Sequence, residues 1–210
     1  MIDVVSRLQK HSKFTLIGPL IKNLPKKLQE FVIFVDGGAM ALNDLIETPY
    51  LTIGDGDSIA KDKPQMQVPL KSEKDFSDLA FVLTQLPNNT SYLHLCGFLG
   101  GRLDHQLAVW GEVCQMMEET QNLLCVDFDE GHHKLLNQGP HELNVDGVFS
   151  LISLKPQEIR LKGKAKYTLP EFETLMPLNS RGLSNVGYGK IYLETSGPLL
   201  LFKSAFCLDS

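Results

Sequence analysis

The chain has 210 residues, 43% hydrophobic and 21% charged, with a formal net charge of -5. This is ordinary globular composition, long enough for one large domain or two small ones. The negative balance argues against a general binder of nucleic acid or anionic membrane, since such partners are held by Lys and Arg neutralising phosphates.

Arg7, Lys10, His11 and Lys13 break up the apolar positions near the start of the chain, where a secretory signal would need a continuous apolar core. No stretch approaches the roughly 18 uninterrupted apolar residues of a membrane span. A cytoplasmic protein is expected. Cys96, Cys114, Cys125 and Cys207 show no CxxC spacing, which points to buried thiols rather than a zinc site or a disulfide framework.

Between about residues 13 and 130, apolar runs alternate with helical periodicity, the pattern of βαβ units and a parallel sheet. Strands are expected at Phe14–Ile17, Phe31–Val35, Tyr50–Ile53, Tyr92–Cys96 and Leu123–Phe128. One helix is expected over Phe76–Leu86, with Phe76, Leu79, Ala80, Leu83 and Leu86 as its apolar stripe. A second carries Leu103, Leu107, Trp110, Val113 and Met117 at the same spacing. Beyond about residue 135 the period shortens, and turn residues at Asn144–Gly147, Gly163 and Ser196–Pro198 separate expected strands. Those strands are Val148–Leu154, Ile159–Leu161, Ala165–Leu169, Lys190–Glu194 and Leu199–Phe202. The expected architecture is therefore α/β, an N-terminal parallel-sheet α/β domain over 1–133 followed by a C-terminal all-β sandwich domain over 134–210.

Ligands of open α/β sheets bind at the carboxyl ends of the strands. Three expected strands run into Asp36-Gly37-Gly38, Gly54-Asp55-Gly56-Asp57-Ser58 and Gly97-Phe98-Leu99-Gly100-Gly101-Arg102-Leu103-Asp104-His105. Asp55 and Asp57 are two apart, and alternate residues of extended chain face the same way, so both carboxylates could meet one cation. As an isolated run, GDGD would read as a solvated turn. Asp75 and Asp78 open the first expected helix, where Asp75 could cap free N–H groups and Asp78, beside Ser77, lies where a metal-bound triphosphate would rest. Gly100 and Gly101 permit a tight turn with N–H groups facing a bound anion, and Arg102 adds a positive fork. His105 could be a base, although a first-turn His beside Asp104 is more often a structural hydrogen-bonder. Together the motifs point to a magnesium and polyphosphate site. No Gly-Lys-Ser/Thr follows, so this is not a Walker A loop.

In order and spacing, Asp36–Gly38, Gly54–Ser58, Lys74–Asp78, Gly97–His105 and Gly182–Asn185 resemble the motif series of thiamine pyrophosphokinases, over nearly the whole chain. Gly56 stands where a bulkier apolar residue is common in that family, and Ser77 where Thr is usual. The resemblance implies transfer of pyrophosphate from ATP to the hydroxyl of thiamine, with Mg²⁺, in a homodimer whose active sites lie between subunits. It further implies that Asp55, Asp57 and Asp78 hold the metal, and that Lys74, Ser77 and Arg102 contact the polyphosphate, beside Asp36, Gly37, Gly38, Gly100, Gly101 and His105. Asp104 would orient or deprotonate the thiamine hydroxyl, and Ser184 and Asn185 would touch the aminopyrimidine. Alternatives are a pyrophosphokinase acting on a pterin alcohol and a thiamine or nucleotide sensor without turnover. The second would be expected to have lost its carboxylates.

Overall fold

The computed structural model describes residues 4–43, 46–57, 66–120, 122–129 and 133–203, so Ser58 and Cys207 lie outside the described residues. The chain divides into two compact units, Met1–Glu130 and Gly131–Ser210. It is mostly β, with three α-helices among the described residues.

In the first unit a short helix, α1 (Val4–Leu8), precedes β1 (Lys13–Ile17) and β2 (Phe31–Val35). β3 (Tyr50–Gly54), β4 (Val68–Pro69), α2 (Asp78–Gln85), β5 (Tyr92–Cys96), α3 (Leu103–Glu119) and β6 (Cys125–Phe128) follow. The strands pair in parallel in the order β6-β5-β1-β2-β3-β4. All five residues of β2 are buried, as a strand covered on both faces requires, and its sequence is accordingly uninterrupted Phe-Val-Ile-Phe-Val. Parallel pairing puts the carboxyl ends of these strands on one edge. Chain order reverses between β1 and β5, the topological switch where such sheets open a crevice.

Both helices differ in detail from the sequence expectation. α2 begins at Asp78, and the Ser77 hydroxyl caps it by accepting the Ala80 N–H at 2.9 Å. Asp75 therefore precedes the cap and does not fill it. Phe76, lying before the helix, is 46% exposed and stacks on Phe81 instead of joining the buried stripe. On α3, Trp110, Val113 and Met117 are buried, with Trp110 4.3 Å from the Phe128 ring. Leu103 and Leu107 are exposed, because the first turns of α3 lie beyond the part that covers the sheet.

The second unit comprises β7 (His133–Leu136), β8 (Gly139–Ser153), β9 (Gln157–Ala165), β10 (Leu169–Leu175), β11 (Asn185–Thr195) and β12 (Leu199–Lys203). These pair antiparallel in the order β10-β9-β11-β8-β12-β7. The strands run longer than their sequence signals. Asn144 to Gly147, expected as a turn, continue β8: Val145 faces the core while Asn144 and Asp146 face water, so turn-like polar residues here form the solvated side of a strand. Gly163 lies within β9 at a register shift against β11. Its φ is +102°, and a Cβ there would come within 2.6 Å of the Lys190 carbonyl oxygen. Of Ala165–Leu169, expected as one strand, Ala165 ends β9, Leu169 begins β10, and residues 166–168 form the turn between them.

Candidate active site

Two glycines explain how distant carboxylates meet. Asp36 begins a 3-10 turn (Asp36–Ala41) directly after β2, with φ +45°. Its backbone lies against Gly54 at the end of the neighbouring β3, where an added Cβ would fall 2.8 Å from Asp36 Cα. Gly38 is pressed harder still against the end of β1, its virtual Cβ only 2.1 Å from the Ile17 carbonyl oxygen. The glycines of DGG and GDGD thus let strand ends crowd together so that their aspartates converge.

The convergence joins Asp36, Asp55 and Asp78, each offering a carboxylate oxygen within 4.8 Å of the others. Lys74 lies among them, its Nζ 3.0 Å from Asp78 Oδ1 and 3.3 Å from Asp55 Oδ2. Lys74 also donates to the Lys71 carbonyl at 3.0 Å. The side chains of Lys74, Asp55 and Asp78 are only 11–12% exposed. Partial burial alone would raise the Asp55 carboxyl. The hydrogen bond from the Asp57 N–H and the Lys74 ammonium outweigh it and hold Asp55 below the usual carboxylate range. For Lys74, burial works downward, but Asp78 and Asp55 prevail and hold the ammonium above its ordinary value. Three hard oxygen donors on separate chain segments suit a small divalent cation such as Mg²⁺, and the donor set fits one.

Asp57 lies beside this group without joining its close-set oxygens, its side chain hydrogen-bonding with Asp55. Gly56 has φ +75°, which turns the chain out of the extended conformation that would align Asp57 with Asp55. Asp57 is exposed, and its N–H donates to Asp55 Oδ1 at 3.2 Å.

Ser77 sits at the α2 N-terminus, its hydroxyl donating to Glu112 Oε1 and Oε2 at 2.8 and 2.9 Å. Burial pushes the Glu112 carboxyl above its ordinary value, partly opposed by the Ser77 hydroxyl. No periodicity or motif singles out Glu112, which lies on the α3 side facing α2.

The glycine loop follows β5. Gly97 has φ +75°, and its carbonyl accepts the Leu20 N–H at 2.9 Å. Further along, Gln106 clasps the loop: Oε1 accepts the Gly100 N–H at 3.1 Å and Nε2 donates to the Gly101 carbonyl at 3.0 Å. Arg102 and Asp104 are well exposed and paired, with Arg102 Nη2 2.5 Å from Asp104 Oδ2. The pairing raises the guanidinium and, with the His105 N–H, lowers the Asp104 carboxyl. His105 is exposed. Cys96, before the loop, is 2% exposed, and burial with the nearby charge of Asp129 pushes its thiol up to about 12, so it is no nucleophile.

In the second unit, Asn185 is buried and its amide is committed to the backbone of Tyr167. Nδ2 donates to the Tyr167 carbonyl at 2.7 Å and Oδ1 accepts the Tyr167 N–H at 3.0 Å. Ser184 is exposed with φ +56°, and its N–H donates to Ser150 Oγ at 3.0 Å. Asn185, Tyr167, Leu183, Arg181 and Glu173 line a cleft of about 520 Å³ within this unit. Tyr167, a lone aromatic in a turn region, carried no sequence signal.

The model of the thiamin pyrophosphokinase catalytic domain matches residues 23–126. Solved structures share the fold, among them three thiamin pyrophosphokinases. Thiamine pyrophosphokinase from Bacillus subtilis superposes with a TM-score of 0.70 at 18% identity, over 92% of this chain and 99% of that one. The enzyme from Geobacillus thermodenitrificans gives 0.68 at 20% identity, over 93% and 99%. Thiamin pyrophosphokinase from Candida albicans gives 0.70 at 14% identity, over 95% and 89%. Among curated proteins nothing matches. Because the catalytic-domain match spans the strand ends that carry Asp36, Asp55, Asp78 and the glycine loop, residues 23–126 of this chain belong to the thiamin pyrophosphokinase catalytic-domain family.

Proposed function

We infer that this protein is a thiamine diphosphokinase, transferring the terminal pyrophosphoryl group of ATP to the hydroxyl of thiamine and releasing AMP. The observation that carries the reading is the meeting of three aspartates and Lys74 on the sheet edge that also bears the glycine loop.

In the reaction, the hydroxyethyl oxygen of thiamine forms a bond to the β-phosphorus as the bond from that phosphorus to the α-phosphate oxygen breaks. Such a transfer asks a protein for in-line positioning and charge neutralisation rather than a covalent intermediate. Asp36, Asp55 and Asp78, with Asp57 nearby, would hold Mg²⁺, which when bound supplies neutralisation of the polyphosphate charge. Lys74, Ser77 and Arg102 would donate to phosphate oxygens, and the exposed N–H groups after Gly100 would face the same anion. Asp104 suits orientation of the thiamine hydroxyl better than strong general-base work, since a carboxylate held low by Arg102 is a weak base.

Ser184 and Asn185 are assigned to the thiamine side. The commitment of Asn185 to Tyr167 favours an indirect contribution, with the Tyr167 turn presented to the ligand. The finer architecture proposed is a parallel α/β catalytic domain followed by a β-sandwich. In its support, β8 pairs with β11 along residues 139–149 and with β12 along 149–153, the change of partner by which one strand serves two layers. A homodimer is proposed from the exposed Tyr167, Phe172, Met176, Leu178 and Leu183, a large apolar set for a lone surface. A cytoplasmic location accords with the described helices, none of which is long and apolar enough to cross a membrane.

Incubation with thiamine, ATP and Mg²⁺ tests the assignment: AMP and thiamine diphosphate should appear in equal amounts. ADP with thiamine monophosphate would refute the transfer, and absence of any thiamine-dependent product would refute the acceptor.

A further inference from the structure

The glycine loop has an anchor that belongs to none of the sequence motifs. Asp129 follows β6, the strand beside β5, and its Oδ1 accepts the Gly97 N–H at 2.9 Å. Gly97 is the first residue past β5, where the parallel ladder to β1 has ended at the Ile17–Cys96 pair and an N–H must find a partner elsewhere.

The acceptor is itself held firmly. Asp129 has φ +48°, a conformation open to Asp and Asn but strained for most residues. Its own N–H donates to the Leu95 carbonyl at 2.8 Å, and its carbonyl accepts from His94 Nε2. Leu95 and His94 are on β5, so both backbone groups of Asp129 are tied to the strand that leads into the loop. Cys96 Sγ lies 3.2 Å from the same His94 nitrogen and closes the cluster. Gly97 is fixed from the other side as well, through its carbonyl and Leu20. It also has no room to move, since a Cβ there would come within 2.4 Å of the Ile21 nitrogen.

We propose that Asp129 is a positioning residue, setting the direction in which the Gly97–Gly101 loop leaves β5 and so shaping the surface it offers to a nucleotide polyphosphate. The proposal rests on the pyrophosphokinase reading for the ligand. A carboxylate is a poor companion for a triphosphate on electrostatic grounds alone. The benefit of Asp129 therefore lies in its hydrogen bond and left-handed backbone, and the charge is a cost that Asn would avoid.

Asp129→Asn and Asp129→Gly separate these contributions, because both tolerate the backbone and only Asn retains the acceptor. The probe is α,β-methylene ATP with Mg²⁺, titrated calorimetrically, alongside steady-state KM values for ATP and thiamine. Asp129→Gly should weaken analogue binding about tenfold, the scale of one charge-assisted hydrogen bond. It should raise KM for ATP more than KM for thiamine, whereas a general loss of stability would not favour one substrate. Asp129→Asn should bind the analogue at least as tightly as the wild type. Should the glycine variant be unstable, its titration is made at a temperature where circular dichroism shows it fully folded, with the same expectation. Unchanged binding in the variant that lacks the acceptor, or equal weakening by Asn, would overturn the proposal. Wild-type protein that bound the analogue without converting thiamine would leave it standing and remove the acceptor assignment. Wild-type protein that bound no analogue would overturn it together with the nucleotide site.

Discussion

Gly54 lies so close to Asp36 that a Cβ would stand 2.8 Å from the Asp36 Cα, a backbone atom that no rotamer change can move aside. The absence of a side chain on β3 thus determines where a carboxylate on the turn after β2 can sit. Gly54→Ala should push Asp36 away from Asp55 and Asp78. Overpacking of this kind costs about 1–3 kcal/mol. Thermal unfolding would show the loss, and magnesium titration should show weaker binding even at temperatures where the variant is fully folded.

Lys74→Met leaves Asp36, Asp55 and Asp78 together without their internal cation. Removing one partner of a partly buried ion pair should cost roughly 1–3 kcal/mol at neutral pH, below the range for full burial. Repulsion among the remaining carboxylates is relieved as they take up protons, so the loss should shrink as pH falls. Magnesium should restore stability to the variant more than to the wild type. Unfolding temperatures with and without the metal, from pH 4 to pH 8, test both statements. In the wild type, Asp55 is held below its ordinary value, so its contribution is complete above that value and fades only as pH falls through the lower folded one. Lys74 is held above its ordinary value, and its contribution fades only in the alkaline range as pH rises through the folded one.

Glu112 is raised by burial, so its ionisation works against the fold and the cost grows as pH rises through its folded pKa. Glu112→Gln keeps an acceptor for the Ser77 hydroxyl and removes the charge. It should be at least as stable as the wild type at pH 7, with the advantage vanishing below the ordinary Glu range. Ser77→Ala should instead cost about 1 kcal/mol, the worth of an N-cap hydroxyl. Urea unfolding across pH distinguishes the two variants.

The sequence made some of this legible and hid the rest for identifiable reasons. Continuous apolar runs such as Phe31–Val35 gave away the buried parallel strands, and Gly and Asp after them marked the ligand edge. The same rule applied to Asp129 after β6 would have found the loop anchor. Glu112 offered no such handle, because its role comes from the packing of α3 on α2. In the second unit the alternation of β8 was masked by Asn144, Asp146 and Gly147, which resemble a turn when the buried Val145 between them is overlooked.

Asn185 spends both ends of its amide on Tyr167, and this makes a distinction measurable. Asn185→Ala should destabilise the protein by about 1 kcal/mol, because two part-buried backbone groups lose their partner. It should raise KM for thiamine by loosening the Tyr167 turn. Tyr167→Ala should raise KM for thiamine without a comparable loss of stability, as its ring is 60% exposed. Unchanged thiamine kinetics in both variants would separate this cleft from the substrate.

The identity of the metal-holding carboxylates is the last matter that geometry makes testable. Family resemblance names Asp55, Asp57 and Asp78, while the structure groups Asp36 with Asp55 and Asp78 and turns the chain at Gly56 before Asp57. Asp36→Asn and Asp57→Asn carry the two readings apart, since each removes one charge with almost no change in volume. If the grouped aspartates form the principal site, Asp36→Asn should weaken Mn²⁺ binding, followed by electron paramagnetic resonance in the absence of nucleotide, about tenfold or more. Asp57→Asn should then leave that binding nearly intact and lower turnover only when ATP brings the metal to the polyphosphate. The reverse order would mean that the segment after Gly56 closes in when the cation binds, because the Asp57 carboxylate, already in reach of Asp55, gains ligand strength only by moving nearer to Asp36 and Asp78.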